Sequence, residues 1–589
     1  MVCRASLNCE NVIRTYIKRI QEVEPYINAT VEQCFDDALK AAKEVDELIA
    51  SKRYSSEELA KEKPLLGVPF TVKILIRVKG LRHTSGSRLN ENVIATEDAP
   101  TVALYKEAGA IIIATTNAPE MGLHVETVNH LHGRTCNPYD TTRTCGGSSG
   151  TKNFTNLKFQ GVTSNSSECR RKSLSVQDSR SFYNRNKSVA PGSEHRPSSN
   201  RKEHSTPPLK KCMCVYKHNL NLQNQRSQQV VALEHTDEDE KIQSFRVCLT
   251  SATRVAGGES ALIAAGGSVL GLGNDLVGSV RIPAHFTGIF AHKPSQGLVS
   301  NLGSVPPDRV DSSEKSPYTE VYKVIATGPM CRYAEDLIVS MRILTARDDM
   351  RETFGKEINY QKFRIFYLKE IKAPMVPFVE ADIAAGMQNA ISYFESHYNI
   401  SAKEIKLPLL FDMFRCGWTL LTNLFFDAED TLTGGRGIHF NMKLDLLKSV
   451  FGKSTLCFMT LMIMQSRQNP LLYRESKIHE YKRMIEEIRN ELNNILDEDT
   501  VLLLPTLPIT APYHHAVIPL MGKVCYTIIF SYIGFPSTHC PIGYNKHGLP
   551  FGIQIVGCKN NDALTIACAV ELEKAFGGWR APRSTKRDV

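Results

Sequence analysis

Between Thr151 and Gly257 the chain runs for 107 residues without a hydrophobic period, and this limits what it can fold into. Runs such as NSSECRRKSLSVQDSRSFYNRNKSV offer too little apolar surface to offset the entropy of ordering a backbone. A structureless stretch of that length inside a compact domain is uncommon. Residues 1–150 and 258–589 therefore have to supply the globular body, and 151–257 reads as a disordered basic insertion. The insertion carries 18 Lys/Arg against 9 Asp/Glu, which is the whole of the net charge of +9, since the 53 of each elsewhere cancel. The basic character thus says nothing about what the globular part binds. A nucleic-acid-binding role for 151–257 is outweighed by its filler composition. Gly150-Thr151 can be encoded with a GT and Ala256-Gly257 with an AG, so the favoured reading of the segment is a retained intron.

Either side of the insertion the texture is α/β. Ile13, Tyr16, Ile17, Ile20 and Val23 fall at helical spacing, and Pro25 is expected to end that helix. A second amphipathic helix follows through Phe35, Ala38, Ala42, Val45 and Ile49. GVPFTVKILIRV (Gly67 to Val78) reads as a strand by its β-branched content, and TVALYKEAGA followed by IIIATT as a helix and a buried strand. Beyond Gly258, FRIFYL, VLLLPT and GIQIVG read as strands. IAAGMQNAISYF, IHEYKRMIEEIRNELNNIL and NDALTIACAVELEKAF read as helices.

No window holds 18 uninterrupted apolar residues, and the first twenty lack the apolar core of a signal peptide. The chain therefore reads as intracellular, either cytoplasmic or membrane-associated. The 16 cysteines show neither CxxC pairs nor a small-domain framework, so they read as reduced and mostly buried thiols. His514-His515 could suggest a metal pair, but an adjacent pair on a Pro-flanked loop is more often structural. Gly271 and Gly273 are not followed by a glycine at 276, so the dinucleotide-binding pattern fails.

With the insertion set aside, TCGGSSG joins GESALIAAGGSVLGLGNDLVGSVRIPA. Ser148 and Ser279 are then separated by 24 positions instead of 131. The joined text closely resembles the amidase signature family, in which a Gly/Ser loop leads in about two dozen residues to a second Ser in a Gly-rich turn. PLLGVPFTVK resembles the family's lysine strand, TTNAPEMGLHVETVNHLHGRTCNPYDTTRTC the run into the serine loop, and APYHHAV with the segment from IIFSYIGFP to GGW its C-terminal landmarks. The best match within the family is to the fatty-acid amide hydrolase branch.

The resemblance implies a central mixed β-sheet flanked by helices, here interrupted by the long insertion. It also implies a Ser–cis-Ser–Lys triad of Ser279, Ser148 and Lys73, and cleavage of fatty-acid amides through an acyl-enzyme on Ser279. A serine hydroxyl is a poor nucleophile at its own pKa and needs a base to take its proton. A lysine can serve when burial lowers its pKa. Backbone N–H groups of Leu276, Val277, Gly278 and Ser279 would hold the oxyanion, with Ser149 as a hydrogen-bonding support near the substrate. No metal or organic cofactor is expected. The expected partners are a small lipid-amide substrate and a lipid surface to which the protein attaches peripherally; nucleic acid is not among them, and oligomeric state is left open.

Three features depart from the family pattern. Val277 stands where a glycine is usual, and a β-branched residue would be strained there if the position needed φ > 0. Ile74 replaces a polar residue after the lysine. The insertion separates two serines that must meet. These leave two alternatives: a catalytically impaired scaffold or binding protein, and an amidotransferase-type amidase acting on glutamine with a partner subunit. The apolar runs DMFRCGWTLL and SVFGKSTLCFMTLMIM read by default as core, with an acyl channel as the other reading.

Overall fold

Eleven strands form one mixed sheet. They are β1 (Thr30–Gln33), β2 (Pro69–Lys73), β3 (Ile111–Thr116), β4 (Leu270–Asp275), β5 (Phe290–Lys293), β6 (Ala326–Cys331), β7 (Arg364–Tyr367), β8 (Ala402–Glu404), β9 (Thr500–Pro505), β10 (Ser537–Tyr544) and β11 (Pro550–Gly557). The computed structural model describes residues 7–123, 126–146, 257–304, 319–424, 432–433, 439, 441–466, 473–514, 516 and 522–583. Of the expected insertion, residues 151–256 lie outside the described residues and only Gly257 is described. Across the sheet the order is β1-β3-β2-β4-β6-β5-β10-β11-β9-β7-β8. β3, β2 and β4 run parallel, as do β9, β7 and β8, and antiparallel pairs join the two groups.

Seven helices matter below: α1 (Cys9–Ile27), α2 (Gly258–Ala264), α3 (Arg281–Thr287), α4 (Met413–Leu424), α5 (Met442–Val450), α6 (Cys525–Tyr532) and α7 (Asp562–Phe576). α1 buries Ile13, Ile17, Ile20 and Val23, the face its spacing predicts, but Pro25 does not end it. A proline in the last turn removes a single backbone donor, and the helix continues to Ile27 before closing at Asn28, in the left-handed region at φ 47°. The expected strand over Gly67 to Val78 is shorter than its composition suggests. Pairing stops at Lys73, and the N–H of Ile76 turns back to the Lys73 carbonyl at 2.8 Å.

β2 is buried along its whole length, so both of its faces are covered. Phe70 and Val72 enter the main hydrophobic core with Leu270 and Leu272, and Phe70 packs edge-on against Tyr105 at 5.4 Å between ring centroids. Strand alternation sends Thr71 and Lys73 to the other face, under α2. Near the middle of the sheet α7 is tied to β5 through Asp562. Its carboxylate accepts from His292 Nε2 at 3.0 Å and from the Ser295 N–H at 2.7 Å, all within the buried interior.

Candidate active site

Lys73 closes β2 at 3% exposure, and its Nζ donates to Asn274 Oδ1 on the neighbouring strand β4 at 2.8 Å. Asn274 in turn donates through Nδ2 to the Ser304 carbonyl at 2.6 Å, which turns its amide oxygen toward the lysine. Burial pushes the Lys73 ammonium down to about 8, against the opposing charges of Asp275 and Glu259. A lysine in this setting has a usable neutral fraction near neutral pH.

Ser279 follows β4 by four residues, in the turn Leu276-Val277-Gly278 that joins the strand to α3, and its side chain is buried. The turn is shaped by a fully buried ion pair. Arg281 Nε donates to Asp275 Oδ2 at 2.9 Å and its Nη2 to Oδ1 at 3.0 Å, both residues having no exposed side-chain surface. The Asp275 carboxylate also accepts the N–H of Gly278 at 2.6 Å, and that of Val280 at 3.3 Å. Burial alone would raise the Asp275 pKa, but the charges of Arg281 and Lys293 and these bonds hold it below the ordinary value. Arg281 further reaches Gln554, the Thr527 carbonyl and Ser531, so the turn is clamped to β11 and α6.

Val277 is free of the strain that a left-handed position would impose. The positive φ of the turn belongs to Gly278, at 123°, while Val277 is absent from the positive-φ residues and buries its side chain. Its carbonyl accepts from Thr527 Oγ1 at 2.6 Å. A Cβ at Gly278 would overlap Thr527 Oγ1 and press on Ile282 Cδ1. Gly278→Ala is therefore expected to displace Ser279, lowering its reaction rate with a fluorophosphonate by at least about a hundredfold, of the order seen when one oxyanion donor is lost. Ile74 is a core residue beside Leu75 and Ala118, its N–H bonded to the Thr116 carbonyl at 3.0 Å. Ser148 and Ser149 lie outside the described residues.

Five residues around this centre were not singled out from the sequence: Asn274, Asp275, Arg281, Thr527 and Glu259. An Asp and an Arg flanking a Gly/Ser turn, and a lone acid heading the apolar run GESALIAAGG, are the signals that could have found three of them. Val277 also lines an apolar pocket with Met413, Phe414, Trp418, Cys525 and Ile528, so DMFRCGWTLL, most of it within α4, borders the serine turn. A second pocket shares Phe414 and Trp418 and adds Met375 and Phe411, both exposed. His514 is held structurally, its Nε2 donating to the Thr141 carbonyl at 3.1 Å and its N–H to that of Thr142.

The family model "Amidase" matches residues 11–151 and 255–566, a range that includes both the strand-borne buried lysine and the clamped Gly-Ser turn. The chain belongs to that family and is an amide-hydrolysing enzyme. It is similar to fatty-acid amide hydrolase 2-A of Danio rerio, with 30% identity over 99% of this chain and 88% of the relative. It is 28% identical to fatty-acid amide hydrolase 2 of Homo sapiens over the same shares of both chains. The fold is also that of 6-aminohexanoate cyclic dimer hydrolase, solved with its substrate, at a TM-score of 0.62 and 17% identity over 98% of this chain and 96% of that one.

Proposed function

We propose that the chain is a serine hydrolase of fatty-acid amides, with Ser279 as nucleophile, Ser148 as proton relay and Lys73 as base. The observation that carries this reading is Lys73 itself, buried, drawn down to about 8 and packed beside the strand that delivers Ser279. Neutral Lys73 takes the Ser148 hydroxyl proton as Ser148 takes that of Ser279, and Ser279 Oγ bonds to the amide carbon. The oxyanion then meets the N–H groups of Leu276, Val277 and Ser279; that of Gly278 is held by Asp275. The relay returns the proton to the nitrogen as the C–N bond breaks, and the amine leaves. Water reverses the sequence on the ester and releases a fatty acid. Ser149 supports the loop beside the relay serine. The apolar side chains of Met413, Trp418 and Ile528 beside Val277 are of the kind that would line an acyl channel, although the cavity between them is only about 10 Å³ here.

Fluorophosphonate labelling of the full chain and of a form lacking 151–257, each with a Ser279→Ala control, tests the reading. Labelling at Ser279 accompanied by hydrolysis of a long-chain primary amide is expected. Labelling of the deleted form alone supports the retained-intron reading of 151–257. No labelling of either form overturns the hydrolase and favours the scaffold, and hydrolysis of glutamine but not of the lipid amide favours the amidotransferase.

Peripheral attachment to a lipid surface belongs to the same reading. Among the described residues no helix is long and apolar enough to cross a membrane. α5 instead exposes Leu444 and Leu447, with Phe451 following on the same face at 68% exposure, flanked by the exposed Lys443, Lys448 and Lys453. An apolar face edged by lysines suits an anionic bilayer. Co-sedimentation with phosphatidylserine vesicles is expected, and the triple variant Leu444→Glu, Leu447→Glu, Phe451→Glu should lose it. Equal binding by wild type and variant overturns the assignment of this face.

A further inference from the structure

Glu259 heads α2, yet its side chain is 3% exposed and turned into the sheet. Its carboxylate accepts from Thr71 Oγ1 on β2 and, at 2.7 Å, from Thr116 Oγ1 on β3. Thr71 precedes Lys73 by two positions and so shares its face, and Thr116 is the register partner of Lys73 across the parallel pair. The third wall is Gly271 on β4, where a Cβ would overlap Glu259 Oε1. Three strands thus leave a socket for one carboxyl group beside the lysine. An acid this deep costs stability unless it is paired or neutral. Its hydrogen bonds come from hydroxyls, and Lys73 is the opposite charge acting on it.

We infer that Glu259 is a positioning residue that sets the charge state of Lys73, and with it the pH at which the lysine can serve as base. The titrations of the two groups are linked through their opposite charges. The charges facing Lys73 are Glu259 from α2 and Asp275 from β4. Asp275 is committed to Arg281 and Lys293, which leaves Glu259 as the acid able to change charge near neutrality. Burial raises Glu259 to about 7, opposed by Thr71, Thr116 and Lys73, and Tyr105 also feels its charge. Above that pH the carboxylate holds the proton on Lys73, and below it a neutral Glu259 releases that hold.

The inference rests on the proposed role of Lys73, and its test is read without turnover. In the full chain labelled with [ε-13C]lysine, the Lys73 resonance, assigned by its loss in Lys73→Met, is titrated in wild type and Glu259→Gln. Glu259→Gln is expected to lower the Lys73 midpoint by at least about one pH unit, the scale of a unit charge as far as about 12 Å away at an effective dielectric of about 20. Thr116→Val, which leaves the acid in place but removes a donor to its ionised form, should lower it in the same direction. Reciprocally, Lys73→Met should raise the Glu259 midpoint read from [δ-13C]glutamate. An unchanged Lys73 midpoint in Glu259→Gln overturns the inference. If that variant fails to fold, an unchanged Glu259 midpoint in Lys73→Met does so. A shifted midpoint in a chain that fails to react at Ser279 leaves the coupling standing and sinks the hydrolase reading alone.

Discussion

Replacing Lys73 by methionine is expected to make the protein more heat-stable and nearly inactive at once. A positioned general base is worth about a hundred- to ten-thousandfold in rate, so kcat should fall by that range while KM for the lipid amide changes little. The stability gain follows from linkage. The folded pKa of Lys73, about 8, lies below the ordinary 10.5, so the unfolded state binds more protons between these values. The cost of keeping the lysine buried is full below about pH 8, shrinks as pH rises, and is gone above about 10.5. At about 1.4 kcal/mol per unit the cost is about 3 kcal/mol, reduced by about 1 kcal/mol for the lost bond to Asn274. Lys73→Met should melt above wild type at pH 7, and the order should reverse by about pH 10.5, where only the loss of the Asn274 bond remains. A variant no more stable than wild type at pH 7 would show that Lys73 is not buried at such a cost. The same pKa predicts that kcat/KM of the wild type rises with pH through about 8.

Asp275→Ala should have the largest stability effect of any single change in the site. It leaves the Arg281 guanidinium in the interior without its carboxylate, a loss typically of about 3–5 kcal/mol. It also removes the acceptor for Gly278 N–H, so the serine turn loosens as the protein destabilises. The double variant Asp275→Leu, Arg281→Met separates the two effects. Apolar residues of similar size should recover much of the stability, because no buried charge is left unpaired. Fluorophosphonate reactivity should stay low, because nothing holds the turn. Recovery of both together would mean that the pair is structural filler and that the turn keeps its shape unaided. Because the folded pKa of Asp275 is depressed, the stability it confers is present at neutral pH and is lost as acid carries the carboxylate through that lowered pKa.

Elements with a strong period were legible in the chain, and their ends were not. The burial of Ile13, Ile17 and Ile20 follows from spacing alone, whereas the outcome at Pro25 depended on the cap at Asn28. Composition made Gly67 to Val78 look like one strand, yet its ladder partners on β3 and β4 stop it at Lys73. Val277 looked like an oxyanion loop under strain because a sequence cannot assign φ, and the turn places its left-handed residue at Gly278. α4 read by default as core, and it does bury Met413 and Trp418, but the same side chains wall a pocket against the serine turn.

Local pattern carried the α/β alternation, and the resemblance of short motifs to a known family marked Lys73, Ser148 and Ser279 as the expected triad. Those follow from residue type and short-range order, which a chain carries in its text. The charge state of Lys73, the clamp on the Ser279 turn and the socket for Glu259 were decided by the tertiary structure. Lys73 meets Asn274 across 201 positions and Thr71 meets Glu259 across 188. A pKa or a turn geometry is a sum over neighbours in space, and here those neighbours sit on adjacent strands and a helix that the sequence holds about two hundred positions apart.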